Sequence, residues 1–288
     1  MDAQAREELF ERAREYSTQP ARRPEADALW ARVVEAYRQA VAGGRVDRHD
    51  QRQLARALWR RGMLLTALGR HDEAREPGQE AIVVFAEVHQ AVATEQPDPT
   101  EARRDGALSE LITATVDAGE SAFLAGHPAV RIQLIERALE IGLRVAGPPP
   151  GAGPRTREAM GTAYHNHATA LLHRHLQQPS PGGSDAREAA LAASRATELR
   201  QNALDPGKPI TAWELANTYS TYAHTLVLTG DVNRARLVVE LGSRLTDALG
   251  PAGAEIRRKL RAAADLIERS AGSGGDAPPS RWPWRRRR

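Results

Sequence analysis

Residues 54–87 read LARALWRRGMLLTALGRHDEAREPGQEAIVVFAE, and this stretch decides the fold. Its apolar residues Leu54, Leu58, Met63, Leu65 and Leu68 recur at helical spacing instead of alternating. Gly69 follows the last of them, where a left-handed C-terminal cap suits a residue without a side chain. Asp72, three residues on, is the expected cap of a second helix. So short a connection forces the two helices antiparallel. Gly62, Ala74 and Ala81 then fall where the helix backbones approach closely, because a larger side chain there would hold them apart. Pro77 and Gly78 lie inside the second segment. A proline at that depth removes a hydrogen bond and clashes with a carbonyl, so a kink or a late helix start is expected.

Looser copies of this hairpin account for the rest of the chain. A first helix over 2–16 carries Leu9, Phe10, Ala13 and Tyr16 on one side. Pro24 opens a partner with an apolar stripe from Leu29 to Val41, and Gly43-Gly44 end it. Gln96 to Pro99 stop the organising pair. A helix then runs from about Thr100 to Ala125, and Pro128 opens the next. Gly119 and Gly126 repeat the seven-residue spacing of Gly62 and Gly69. The joint 147–154 (GPPPGAGP) is helix-free; it is the best candidate for a boundary between subdomains, though it reads better as an insertion between repeats. Helices follow from Arg155 to Leu176 and from a Ser184 cap to Leu204. Thr211 and Glu214 have capping-box spacing, and Asp231 caps the tenth helix. After Gly250-Pro251, Ile256, Leu260, Ala263, Leu266 and Ile267 form one stripe, with Arg257, Arg258 and Arg261 directed to water.

The organising stretch resembles a tetratricopeptide (TPR) repeat, a 34-residue helix–turn–helix unit with small residues at its eighth, twentieth and twenty-seventh positions. Counted from Ala55, these are Gly62, Ala74 and Ala81, and the fifteenth is Gly69. Leu58 and Leu65 stand where the family often has Trp and Tyr, and Gly78 where it prefers a large apolar side chain. Tyr219, Tyr222, Ala223, Leu226, Gly230 and Ala235 follow the same spacing. The equivalents Gly62, Gly119, Ala168 and Ala223 lie further apart than regular repeats, so longer helices and inserted turns are needed. The resemblance implies an all-α fold: a right-handed α-solenoid of about five antiparallel helix pairs plus a C-terminal capping helix. It would occupy residues 1–269, with 270–288 as a disordered linker and basic tail.

In such solenoids the first helix of each pair lines the concave side. By resemblance, the groove positions fall on Arg56, Trp59, Met63 and Thr66, then on Thr113, Val116, Glu120 and Phe123. Later repeats contribute His165, Thr169 and Leu172, then Asn217, Ser220 and His224. Aromatic and Met anchors beside hydrogen-bonding groups suit an extended or helical peptide.

Composition supports helices: Ala, Leu, Arg and Glu dominate, and no segment of strand length alternates. There is no cysteine, hence no disulfide and no thiolate metal site. The N-terminus is charged and helical in pattern, unlike a signal peptide, and no run approaches roughly 18 apolar residues. A soluble cytoplasmic protein is the plain expectation. Lys208 and Lys259 are the only lysines, which points to a GC-rich genome such as an actinobacterium's. Removing the five arginines of 281–288 turns the net charge of +3 into −2, so the body lacks a broad nucleic-acid footprint.

No phosphate-binding loop, nucleophile elbow or other catalytic constellation is present. The histidines of YHNHATALLHRH (164–175) are spaced wrongly for a helical metal pair: His165 and His167 point about 200° apart on a helix. No cofactor and no metal are expected. The tail is the unusual feature. Ser270 to Ser280 is linker-like and leads to Arg281, Trp282, Pro283, Trp284, Arg285, Arg286, Arg287 and Arg288. Such a sequence suits an anionic membrane surface, or nucleic acid through phosphate contacts and stacking. The expected function is a non-enzymatic adaptor or regulatory scaffold that binds a protein or peptide partner. Tail-mediated tethering is the alternative, and the oligomeric state is not encoded in any motif.

Overall fold

The computed structural model describes residues 1–43, 47–95, 100–148, 151–179 and 183–272. Among the described residues every regular element is helical. In chain order they are α1 (Ala3–Thr18), α2 (Arg23–Ala42), α3 (Arg48–Ala67), α4 (His71–Ala93), α5 (Glu101–Leu124) and α6 (Pro128–Ala146). Next come α7 (Pro154–Gln177), α8 (Ser184–Asn202), α9 (Pro209–Leu228), α10 (Val232–Ala248) and α11 (Ala254–Gly272). These make five helix pairs and one closing helix. The chain divides into two compact units, Met1–Ala163 and from Tyr164 onward, with the division inside α7 and not at the 147–154 joint.

Three hairpins close in the same way. Gly69, Gly126 and Gly230 have φ of 76°, 89° and 83°, the left-handed region that only glycine enters cheaply. In each, the amide after the glycine donates to the carbonyl five residues back: Arg70 to Leu65, His127 to Ala122 and Asp231 to Leu226, all at 2.9 Å. Seven residues before two of these caps the helices touch. A Cβ on Gly62 would lie 3.4 Å from the Ala74 carbonyl oxygen, and one on Gly119 would lie 3.3 Å from that of Arg131.

Several local expectations are corrected. Helix α4 does not start late: it begins at His71 and continues through Pro77. Pro77 and Gly78 are both buried in the α3–α4–α5 packing, with Gly78 against Gly62 and Ala118. Burial there outweighs one lost helix hydrogen bond. Asp72 is not the cap, a position held by Arg70, but sits in the first turn, where a carboxylate suits the helix dipole. Helix α9 starts two residues before Thr211, with Pro209 at its first turn; the Thr211 hydroxyl donates instead to the Lys208 carbonyl at 2.8 Å. Arg257 is not directed to water. It donates to the carbonyls of Thr246 (2.6 Å) and Gly250 (2.7 Å) and so closes the end of α10. Helix α11 reaches Gly272, past the predicted domain end.

The first unit is built on aromatic side chains. Phe10 meets Trp30 edge-on at 4.9 Å, and Trp30, Tyr37 and Phe85 are fully buried. Their polar tips are satisfied: Trp30 Nε1 donates to Ser17 at 2.8 Å and the Tyr37 hydroxyl to Glu7 at 2.7 Å. In the second unit Leu171, Leu215, Ile256 and Leu260 pack among alanines. Helix α11 lies on both α9 and α10, and Ile256 and Leu260 cluster with Ala216. The stripe predicted for α11 is therefore its buried face.

One long-range contact fixes a helix start. The Asp105 carboxylate of α5 accepts from the amides of Arg155 (3.0 Å) and Thr156 (2.8 Å), capping α7 from another helix. A Cβ on Gly153 would come within 2.3 Å of this carboxyl carbon, so only glycine admits it.

Candidate functional site

In the first unit, the first helices of successive pairs, α3 and α5, lie against each other as well as against their hairpin partners. Residues 52, 56, 59, 63 and 66 form one stripe on α3, at the spacing that puts side chains on one helix face. Residues 110, 117 and 121 form the facing stripe on α5. Polar rungs join them. Arg52 and Arg56 both donate to the Glu110 carboxylate, at 2.7 and 2.9 Å. Trp59 Nε1 donates to Asp117 Oδ2 at 2.9 Å. The hydroxyls of Thr66 and Ser121 meet at 2.8 Å. Met63, between the last two rungs, stays 45% exposed.

Glu120 pairs with Arg131 of α6 at 2.9 Å, and the Arg131 guanidinium lies 4.7 Å from the Phe123 ring centre. Thr113 turns back to the Ser109 carbonyl at 2.8 Å. Burial pushes the Asp117 carboxyl up to about 6; the Trp59 hydrogen bond opposes that shift and the Glu120 charge adds to it. Trp59 also meets Phe85 edge-on at 6.2 Å, which anchors its ring to α4. Beside this face, a cleft of about 1000 Å³ is lined by α1 with Arg22 and Arg60. Its lining carries Glu8, Glu11, Arg12, Arg14 and Glu15 beside Tyr16 and Thr18.

The second unit carries a different row. Asn217 of α9 stands within 3.1 Å of His165 Nε2 on α7 and accepts from Lys259 Nζ of α11 at 3.1 Å. Thr169 donates to the His165 carbonyl at 2.9 Å. Below this row lie Arg200, which donates to the Glu214 carbonyl at 2.8 Å, and Gln201, which donates to the Tyr219 hydroxyl at 2.6 Å. Burial pulls the His224 imidazole below its ordinary value, with the Lys259 charge acting the same way and the Ser220 carbonyl opposing both.

Five expected groove residues are not surface groups. Val116, His165, Leu172, Ser220 and His224 are buried, and Ser220 and His224 each bond a backbone carbonyl of their own helix. Ser220 donates to the Asn217 carbonyl at 2.7 Å, and His224 Nδ1 meets the Ser220 carbonyl at 2.6 Å. For Ser220 and His224, both on α9, the packing of α11 on that helix adds to their cover. The tail residues Arg281 to Arg288 lie outside the described residues. Glu110, Asp117 and Lys259 were missed by sequence reasoning. A charged residue at helical spacing is ordinarily a solvated one, and no local signal marks its partner more than forty residues away.

No family model matches this sequence, and no curated protein does. Solved structures do. The BtubC (BKLC) structure from P. vanneervenii is 18% identical and covers 86% of this chain and 91% of its own, with a TM-score of 0.53. A variant of a putative kinesin light chain from Podosopora anserina, with nearly identical TPR-like repeats, is also 18% identical. It covers 86% of this chain and 98% of its own, with a TM-score of 0.51. The fold is TPR-like. At this identity the likeness concerns the TPR-like architecture alone. Among the described residues no helix is long and apolar enough to cross a membrane.

Proposed function

We propose that this chain is a non-enzymatic adaptor or regulatory scaffold that holds a segment of another protein against the α3–α5 face. TPR-like folds commonly serve protein–protein interaction, which supports a binding role. The observation that carries the placement is Met63. It is a flexible apolar side chain, 45% exposed, set between the fixed rungs Trp59–Asp117 and Thr66–Ser121. An exposed methionine on a rigid polar frame gives a partner both an adaptable contact and defined hydrogen-bonding groups. Arg56, Trp59, Glu120 and Phe123 belong to this reading; His165, Thr169 and Asn217 form the corresponding row of the second unit.

A photo-crosslinking residue at Met63 of the full chain tests it in native cell extract. The expected result is a discrete crosslinked protein, lost in Trp59→Ala and absent when the crosslinker replaces Val83, a still more exposed residue of α4. Equal yields from both positions would overturn the placement. The second reading rests on the five arginines and two tryptophans of residues 281–288. There the tail tethers the chain to an anionic membrane or to nucleic acid. Deletion of 273–288 should then abolish sedimentation with phosphatidylserine vesicles or binding to a DNA duplex; unchanged binding to both rejects it.

A further inference from the structure

One carboxylate on the α3–α5 face is incompletely used. Asp117 Oδ2 takes the Trp59 indole N–H at 2.9 Å, while Oδ1 takes no hydrogen bond from any described residue. A half-buried carboxylate holding one neutral donor is costly to keep ionised, and a cation brought to its open oxygen offsets that cost. The surroundings select the sign of that visitor. Glu120, one turn further along α5, adds negative charge next to Asp117, and Arg131 pairs with Glu120 and not with Asp117. An acidic segment would be repelled here.

The Trp59 ring supplies a second surface for a cation. Arg60 already stands with its guanidinium 5.7 Å from the indole centre, so this ring lies within reach of positive charge. Arg60 has no acidic partner among the described residues and is set among the charges of Arg14 and Arg56, with Glu11 opposing. It is therefore held weakly. Exposed Met63 is placed to cover the methylene stem of a long basic side chain.

We propose that Asp117 and the Trp59 ring form a seat for one arginine or lysine side chain of the docked segment. This rests on the reading that the α3–α5 face docks a protein segment, and it adds the chemistry of that segment. The seat fixes one position of the partner sequence, with Asp117 giving the charge-assisted hydrogen bond and Trp59 the flat face.

The test pans a random peptide library on the immobilised full chain and on Asp117→Asn, whose amide oxygen still accepts the Trp59 N–H. Wild type should retain peptides enriched in Arg or Lys at one position, and Asp117→Asn should lose that enrichment. For a single retained peptide, replacing its arginine by citrulline should weaken binding to wild type roughly tenfold and leave binding to Asp117→Asn unchanged. Peptides retained without basic enrichment, or enrichment that survives in Asp117→Asn, would overturn the seat and leave the docking face standing. If wild type retains no peptide, the docking face itself falls, and the seat with it.

Discussion

The two units of this chain use the same hairpin and fill it differently. From Met1 to Ala163 the largest buried side chains include Trp30, Tyr37 and Phe85, and polar pairs lie on the first-helix face: two arginines on Glu110, and an indole N–H on Asp117. From Tyr164 onward the core is alanine-rich, and polar groups penetrate it: Arg200, Thr218, His224 and Thr225 are all buried. The same hairpin thus carries side-chain rungs between α3 and α5 in one unit and more buried polar side chains in the other.

The largest effect that would break this contrast is a core truncation in each unit. Trp30→Ala should destabilise the first unit by about 3–5 kcal/mol and Leu260→Ala the second by about 2–5 kcal/mol. Hydrogen exchange should show protection lost mainly on the mutated side. Equal loss in α3 and α9 from either change would mean that the units unfold together and that the contrast has no energetic meaning.

The pH responses should oppose each other. Asp117 has a raised folded value, about 6, so the folded state holds its proton where the unfolded chain has lost it. That contribution is favourable at low pH and is lost as pH rises toward 6. His224 has a lowered folded value because of burial, so its cost appears as pH falls below the ordinary histidine range. Asp117→Asn should therefore raise the urea midpoint at pH 8, by roughly 1 kcal/mol once its partial exposure is discounted, and much less at pH 5. In α9, amide protection should fall between pH 7 and 5.5, and His224→Gln should flatten that fall. A midpoint gain for Asp117→Asn that is the same at both pH values would remove Asp117 as its source.

A smaller effect sharpens the account of the first unit. Asp105→Ala should cost about 1 kcal/mol and deprotect the Arg155 and Thr156 amides selectively. Smaller still, Gly69→Ala places a side chain in the left-handed region and should cost roughly 1 kcal/mol or less, with no change on the α3–α5 face. A shifted Trp59 indole resonance in that variant would show that hairpin closure and the face are coupled after all.

The sequence makes the hairpins legible because their information is local. Left-handed closure at Gly69, Gly126 and Gly230 needs one residue type at one place, and the small residues at Gly62 and Gly119 mark backbone approach directly. The α11 stripe was equally readable from its period. The face was only half legible. Trp59 and Met63 could be placed by repeat position, but Asp117 and Glu110 gain meaning only from helices more than fifty residues away. Ser220 and His224 misled for the complementary reason: polarity suggests solvent, whereas α11 covers α9 and a backbone carbonyl within the helix satisfies each. Pro77 misled only as to where α4 starts, because helix rules weigh a lost hydrogen bond and not the burial of Pro77 and Gly78 against neighbouring helices.

The Asp105 bridge has an implication for building with this chain. Most of its hairpins close on their own residues, so a designer could lift one out and splice its neighbours. Helix α7 is the exception, since its opening amides are borrowed from α5 across the whole of α6. Excising the α5–α6 pair would leave α7 with a bare start and Gly153 guarding nothing, so shortening or shuffling should keep α5, α6 and α7 as one cassette.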